Sequence, residues 1–523
     1  VIDGLQAGAV DVVIVGGGPT GLMLAAELHL GGVDPVVLER LPEVSEIPKG
    51  NGLVGQIVPM LDYRGLREPF AAASTWAGPI PRFSFGPLEL DLSRLGVSPL
   101  HIMAIPQRRL ERLLDGHLRS LGGTVRRGHD VTALSQDGDG VTVVVDGPEG
   151  AYRLRARYVV GCDGAHSLVR KLAGVGFPGV TSSELSRIGR VLLPSATLVA
   201  GTGEVELPGV GRLPVARMMR TPRGAYSLAP LTTLDRDARP GTYVIFTSED
   251  SSVDVDGPMT LEELRASVAR VLGADVAMSE PQWLTRTVGN SRQAEQYRAG
   301  RMLLAGDAAH IFGLGGSLNV GLLDAVNLGW KLAAEVAGWA PAGLLDSYHA
   351  ERHPAGERAI LATRAQRALS ARDEGAEALR AVVSELLVYG EPLRHIGEML
   401  QGSDIRYAMG AGSPHPHPLL GRFAPDLRLE TDDGHTRVAE LMRPARPVLV
   451  DLTPDTALTG VAADWGNRVT VVTGRCEGPT PPAGLLIRPD AYVAWAAEPG
   501  DPHPTAGLHD ALCTWFGPPW RES

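Results

Sequence analysis

Short apolar runs alternate with amphipathic stretches along most of this chain. Asp11-Val-Val-Ile-Val15 is an apolar run of strand length, Gly16-Gly-Gly18-Pro-Thr-Gly21 closes it, and apolar periodicity resumes from Leu22 to Leu30. That order predicts a buried strand, a tight turn and a helix. A second apolar strand, Val33 to Leu38, ends at Glu39. Pro106-Gln107 opens an amphipathic helix with Leu110, Leu113, Leu114, Leu118 and Leu121 on one stripe. Val141–Val145 and Arg155–Val160 read as strands, the second running into Gly161-Cys-Asp-Gly-Ala-His-Ser167.

From Phe177 to Asn290 the pattern shortens to strands at Val191–Leu193, Val215–Met219, Ala225–Ala229 and Tyr243–Phe246. One helix interrupts them, opened by the capping box Thr260-Leu-Glu-Glu263 and stopped by Gly273. This region reads as sheet-rich, with little polar chemistry. A strand returns at Met302–Ala305 and leads into Gly306-Asp307-Ala-Ala-His310, then a glycine loop from Gly313 to Asn319. The long helix that follows carries Leu322, Leu323, Val326, Leu332, Ala333 and Val336 on its apolar face, and helices continue to Gln401. Gly410 to His417 is a Gly/Pro/His linker, and the strands Val448–Leu452 and Val469–Val472 beyond it predict a small third α/β domain. The fold class is α/β. A Rossmann-type domain over 1–176 and 291–401 is interleaved with a middle substrate domain over 177–290, and a C-terminal domain covers 412–523.

Composition narrows the classes. A length of 523 residues suits two to four domains, and a net charge of −11 disfavours a nucleic-acid or anionic-membrane partner. No uncharged apolar run reaches the length of about 18 residues expected of a spanning helix. No basic segment precedes the first strand, so no secretory leader is expected. The three cysteines, Cys162, Cys476 and Cys513, form neither a disulfide framework nor a metal-binding spacing. A cytoplasmic protein without a metal is the expectation. Lysine is confined to Lys49, Lys171 and Lys331, a compositional bias that says nothing of function.

The opening motif carries the chemistry. In a G-x-G-x-x-G turn the first glycine permits the bend, the second admits a pyrophosphate to the backbone, and the third lets helix and strand close up. Glu39 stands where a carboxylate accepts a ribose hydroxyl. Asp307, at a strand end, has the chemistry to read a ribitol or ribose hydroxyl, and Asp163 is either a ligand or a turn cap. The loop ending at Asn319 meets a helix start, whose partial positive charge would stabilise an anionic reduced flavin. Read alone, these last features also fit a plainer alternative, an aspartate turn and an N-capping Asn319. There is one dinucleotide fingerprint, so a second Rossmann site is not expected.

Together these segments resemble the single-component, FAD-dependent class A aromatic monooxygenases, within them the aromatic-polyketide hydroxylases and their Baeyer–Villiger relatives. The resemblance rests on Gly16–Gly21 with Glu39-Arg40, Pro106-Gln-Arg-Arg-Leu-Glu111, Gly161–Ser167, Gly306–His310, Leu318-Asn-Val-Gly-Leu-Leu-Asp-Ala-Val-Asn-Leu-Gly-Trp-Lys331 and Tyr348-His-Ala-Glu-Arg-His-Pro354. The tail resembles the family's thioredoxin-like domain through His417-Pro-Leu-Leu-Gly421, Ala424-Pro-Asp426 and Leu485-Leu-Ile-Arg-Pro-Asp490, but holds no C-x-x-C.

The resemblance implies bound FAD, transient NADPH, O2 as co-substrate and a polycyclic aromatic polyketide, hydroxylated through a flavin hydroperoxide in antibiotic biosynthesis. Baeyer–Villiger oxygenation of a polyketide ketone and non-catalytic sequestration of a polyketide are the alternatives. The chain would act as a monomer or a homodimer. The implied cofactor-binding set is Gly16, Gly18, Pro19, Thr20, Gly21, Glu39, Arg40, Lys49, Gln107, Asp163, Gly306, Asp307, Gly316, Leu318 and Asn319. Asp163 belongs to a segment implicated in both FAD and NADPH handling, and His310 would make a structural hydrogen bond beside Asp307. No catalytic side chain is assigned. Two departures stand out: Ile311–Asn319 is about two residues shorter than in many relatives, without their proline and glutamine, and Lys49 stands near the place of a frequent arginine. Trp76-Ala-Gly-Pro-Ile-Pro81 lacks the second tryptophan of the halogenase motif W-x-W-x-I-P.

Overall fold

The computed structural model describes residues 9–45, 50, 52–250, 257–313, 316–371, 373–410, 417–476 and 481–519. Lys49 and the loop residues Leu314 and Gly315 therefore lie outside the described residues, as does most of the Gly410–His417 linker.

The first apolar run forms the strand Val10–Val15, at the centre of an eight-stranded sheet. It pairs in parallel with Val36–Glu39 on one side and Gly150–Gly161 on the other. Val125–Arg127 extends the parallel array beyond Val36–Glu39, and Met302–Leu304 extends it beyond Gly150–Gly161. The chain thus winds away from Val10–Val15 in both directions, the topological switch point at which open α/β sheets bind ligands beyond the carboxyl ends of their strands. The predicted strand pair Val141–Val145 and Arg155–Val160 forms, lengthened to Val141–Gly147 and Gly150–Gly161, as an antiparallel extension.

The helices Pro19–Leu30 and Ser317–Val336 pack on one another against this sheet. Gly329 makes the crossing close, because a Cβ there would stand 2.4 Å from the Glu27 Cβ. Gln107–Ser120 buries Leu110, Leu114 and Leu118 and leaves Leu113 and Leu121 half-buried, so the apolar stripe is narrower than predicted. Between residues 53 and 104 lie small antiparallel strands that the hydrophobic pattern does not announce, among them Leu53–Val54 paired to His101–Ala104.

The middle region is a six-stranded sheet in the order Met219–Thr221, Gly224–Pro230, Thr242–Asp250, Gly179–Leu192, Ser279–Gln293, His310–Ile311. Its last strand comes from beyond the Gly306–Asp307 motif, which stitches this sheet to the first. Half of the predicted capping box forms: the Thr260 hydroxyl accepts from the Glu263 amide, while the Glu263 carboxylate turns to Arg187 and Arg286. Gly273 ends the helix in a left-handed conformation. The expectation of little polar chemistry is overturned. Arg187, nearly buried, reaches Glu249 and Glu263 at 2.8 Å each, while Arg270 and Arg286 close the other sides of those carboxylates. Alternation hides such a lattice, since each charge occupies an ordinary polar position until the helix Leu261–Leu272 covers it.

The C-terminal sheet runs Thr470–Thr473, Val448–Asp451, Gly484–Ile487, Val493–Ala497, with the first pair parallel and the others antiparallel. With the helices Ala457–Ala462 and Leu508–Phe516 this is the thioredoxin-like arrangement expected of the tail. All three cysteines are free, and among the described residues no helix is long and apolar enough to cross a membrane.

Candidate active site

The ends of four strands place the motifs along one sheet edge. Val15 leads to Gly16, Glu39 ends its own strand, Gly161 leads to Cys162 and Asp163, and Leu304 leads to Gly306 and Asp307. Gly16 has φ +108°, and a Cβ there would lie 2.4 Å from the Cys162 carbonyl oxygen. A Cβ at Gly21 would stand 2.0 Å from the Gly16 carbonyl oxygen. Only hydrogen fits at either place. Gly18 is different: a Cβ there would meet nothing within 4 Å. It is also the N-cap of Pro19–Leu30, which has no side-chain cap and no acid in its first turn. Backbone N–H groups at such a start attract an anion, and a diphosphate matches both the space and the field.

Glu39 accepts hydrogen bonds from the Gly17 amide at 2.7 Å and the Leu41 amide at 2.9 Å, one on each carboxylate oxygen. A carboxylate offers about four acceptor positions, so two remain for ribose hydroxyls. Arg40 follows it, exposed in the bend after the strand. Thr20 turns inward, its hydroxyl 2.6 Å from where a Cβ of Gly306 would stand. Gly306 itself has φ +63°, and the Asp307 side chain accepts from the Ser317 hydroxyl at 2.7 Å.

The helix Ser317–Val336 is N-capped by Gly316, at φ +94°, with no side-chain cap. The alternative of an N-capping Asn319 is therefore overturned. Asn319 sits within the first turn and accepts the Val54 amide at 2.9 Å, tying the helix start to the strand Leu53–Val54. Gln107 opens its own helix, and its amide donates to the Gly50 carbonyl at 2.9 Å. Gly50 in turn lies against Gln107 and Leu318. The structure thus brings Gln107, Leu318 and Asn319 into one neighbourhood across more than 200 residues of sequence.

Asp163 is in part a turn cap, one carboxylate oxygen accepting the Leu168 and Val169 amides at 2.7 and 3.1 Å. The other oxygen is buried with no hydrogen-bond partner among the described residues. His310 does not bond beside Asp307. Its Nε2 meets Asp324 at 2.6 Å, and its ring stacks on Phe312 at 5.0 Å. Asp324, absent from the expected set, also accepts the Gly306 amide at 3.1 Å and Arg352 at 2.8 Å. Burial alone would push its carboxyl up, but the His310 and Arg352 charges hold it below the usual range. Arg170 was missed as well: it donates to the carbonyls of Ala308 and Ala165 at 2.8 and 2.9 Å, bracing two of the loops that face the crevice.

Behind the crevice the same helix joins the C-terminal unit. Arg488, fully buried, pairs with both oxygens of Glu351 at 2.7 Å and with Asp490. Lys331 reaches Glu351 at 2.7 Å, and Asn327 donates to Glu351 and Asp490. Burial pulls the Lys331 ammonium down to about 8, against the pull of Glu351. Burial pushes Glu351 the other way, yet Arg488 and Lys331 outweigh it and hold the carboxyl at about 2. Asp324, Asn327 and Lys331 recur at helical spacing on a helix otherwise rich in apolar residues, and that is the signal by which the network could have been found.

An uncapped helix start over an open glycine, with carboxylates at the adjoining strand ends, defines a dinucleotide-binding flavoprotein fold. The chain matches the FAD binding domain family over residues 9–363 and the C-terminal domain of aromatic-ring hydroxylases over residues 417–519. It belongs to the FAD-dependent aromatic-ring hydroxylases, the class A flavin monooxygenases. It is 43% identical to the 12-dehydrotetracycline 5-monooxygenase/anhydrotetracycline 6-monooxygenase of Streptomyces rimosus, over 97% of this chain and 99% of that protein. It is 39% identical to a dialkyldecalin synthase of Streptomyces rugosporus, over 97% of this chain and 99% of that protein. The solved structure of the anhydrotetracycline hydroxylase from Streptomyces rimosus superposes with a TM-score of 0.85 at 41% identity, covering 98% of this chain and all of that one.

Proposed function

We propose that this chain hydroxylates a polycyclic aromatic polyketide in antibiotic biosynthesis, as a cytoplasmic enzyme using NADPH and O2. The observation that carries the reading is the crevice above Gly18, framed by Glu39, Asp163 and Asp307, in a chain alike over its whole length to a tetracycline-pathway monooxygenase. The balanced reaction is substrate–H + O2 + NADPH + H+ → substrate–OH + H2O + NADP+.

Bound FAD supplies the activation of dioxygen and the delivery of one oxygen atom. The chain's own residues do the rest. Gly16, Gly18 and Gly21, with Pro19 and Thr20 at the helix start, seat the diphosphate, and Glu39 accepts the adenosine ribose. Asp307 takes a ribityl hydroxyl, and Asp163 offers its unpartnered oxygen to the same crevice. Asp324 fixes the Gly306 amide and His310 from behind, so it positions the loop that carries Asp307. The start of Ser317–Val336, through Gly316, Leu318 and Asn319, would lend positive potential to a bound flavin.

The face of the middle sheet opposite the helix Leu261–Leu272 carries Ile188, Phe246 and Trp283, all half-buried. That face would receive a flat aromatic ligand. Tyr226 and Met219 pack instead into the core beneath the helix, and Met218 is exposed. The test is incubation of the flavin-loaded protein with NADPH, O2 and a panel of aromatic polyketides, read by product mass. A product heavier by one oxygen and bearing a new phenol or quinone supports hydroxylation. Ring expansion assigns the Baeyer–Villiger alternative. The dialkyldecalin synthase at 39% identity makes a control without NADPH necessary, and conversion there with no added oxygen would sink the oxygenase reading.

A further inference from the structure

We propose that a cleft lined by Arg220, Arg364 and Arg367 holds the phosphate-bearing end of the reduced nicotinamide dinucleotide, an assignment that rests on the oxygenase reading above. The cleft, of about 380 Å³, lies between the middle sheet and the long helix Ser347–Leu369. Arg220 comes from the edge strand Met219–Thr221, while Arg364 and Arg367 stand three residues apart on the helix and so share a face. Ser182, Ser183 and Ser370 add hydroxyls to the lining.

Its charge is unbalanced. Among the described residues one carboxylate, Glu184, lines it, 3.6 Å from Arg220 and also accepting the Ser248 hydroxyl at 2.9 Å. The Arg364 and Arg367 guanidinium groups make no hydrogen bond or ion pair among the described residues. On the opposite face of the sheet and on the helix that covers it, Arg187, Arg270 and Arg286 are closely paired with Glu249 and Glu263. Free guanidinium forks grip phosphate oxygens in pairs.

Position points to the dinucleotide. Of the three G-x-G-x-x-G matches in the chain, Gly16–Gly21 joins a strand to a helix and FAD takes it. Gly50–Gly55 contains the strand Leu53–Val54, and Gly174–Gly179 follows a short helix and enters a strand, so side chains must hold the phosphates of a second dinucleotide. The cleft also approaches the loop that enters Ser317–Val336: a Cβ at Gly289 would stand 3.5 Å from Ser182 Cβ and 3.3 Å from the carbonyl oxygen of Gly313. Among the described residues no aromatic side chain lines it, which suits a phosphate better than a flat polyketide.

The test uses the FAD-loaded protein and adenosine 2′,5′-bisphosphate, a redox-inert probe, followed by calorimetry. The probe binds the wild type and binds the Arg364→Ala/Arg367→Ala variant at least tenfold more weakly. The KM for NADPH rises by a similar factor, with FAD content and the affinity for an aromatic ligand unchanged. Equal binding of the probe to both proteins overturns the proposal, as does no binding to the wild type at millimolar concentration. A loss of affinity for the aromatic ligand instead, or inorganic phosphate binding as tightly as the bisphosphate, overturns it too. Calorimetry needs no turnover, so a protein that never oxygenates would refute the oxygenase reading and leave the cleft's result standing.

Discussion

The crevice above the strand ends and the seam behind it both draw on the helix Ser317–Val336, and they treat polar groups in opposite ways. Around the crevice, Gly18 and Gly316 leave two helix starts without side-chain caps, and one oxygen of Asp163 and the Nδ1 of His310 are buried without partners among the described residues. In the seam Arg488, Glu351, Asp490, Lys331 and Asn327 are all bonded to one another. A buried polar group left unsatisfied costs about 1–3 kcal/mol, so such groups persist where something else completes them. The open valences around the crevice are carboxylate, imidazole and helix-start groups that a ligand can meet. Those left in the seam are the indole N–H groups of Trp330 and Trp515, packed against Arg488. Closed valences mark what holds the scaffold still.

The largest expected effect breaks the closed side. Glu351→Gln leaves Arg488 and Lys331 buried with too little negative charge, and removing one partner of a buried pair costs about 3–5 kcal/mol. The midpoint of urea unfolding should fall accordingly, while protein that remains folded keeps its flavin. An unchanged midpoint would show that the seam does not hold the C-terminal unit in place. Acid probes the same residue. Glu351 titrates at about 2 in the folded chain against an ordinary 4.5, so its contribution is complete above pH 4.5 and is lost as pH falls toward 2. The loss is about 3 kcal/mol over that window, from 1.36 kcal/mol per pH unit. Urea midpoints across that range should slope in the wild type and much less in Glu351→Gln.

On the open side the effect appears in ligand affinity. Gly18→Ala puts a methyl where no atom of the described residues lies within 4 Å, so the apoprotein should melt close to the wild type. Its FAD affinity should fall tenfold to a hundredfold, about 1.4–2.8 kcal/mol, because the methyl enters the diphosphate's place. Gly21→Ala sharpens the contrast, since its methyl collides with the Gly16 carbonyl and both melting temperature and flavin content should drop. Flavin absorbance per mole of protein after dialysis, beside apoprotein melting, separates the two. Wild-type FAD retention by Gly18→Ala would remove the diphosphate from this crevice.

The two regions were unequally legible. The crevice could be read because backbone chemistry needs particular residues at fixed spacing: Gly16, Gly18, Gly21 and Glu39 belong to one local strand–turn–helix–strand unit. Gly306-Asp307 was visible for the same reason, as a turn at a strand end. The seam was not read, although Asp324, Asn327, Lys331, Glu351 and Arg488 all lie inside the segments that carried the family resemblance. Their meaning depends on partners up to 163 residues away, as for Asn327 and Asp490, and no local period encodes such a distance. Proximity in sequence places His310 beside Asp307. The fold carries it to Asp324, one strand and one helix further on. The arginine lattice of the middle sheet was hidden in the same way.

Asp163 belongs to both sides of the comparison, and its smaller effects test whether the distinction holds within one side chain. One oxygen caps the helix Leu168–Leu172 through two amides, and the other is buried and unpartnered. Asp163→Ala loses the cap and should cost about 1 kcal/mol of stability, with FAD affinity falling as well. Asp163→Asn can keep the cap through its amide oxygen and loses only the favourable charge at a helix start, about 0.3–1 kcal/mol. The amide's NH2 then occupies the open position, where it can donate but no longer accept from a ligand hydroxyl. The Asn variant should therefore bind FAD several-fold more weakly than its near-native stability would suggest. If it binds FAD as the wild type does while Asp163→Ala is merely less stable, Asp163 is a helix cap and its second oxygen has no ligand to meet.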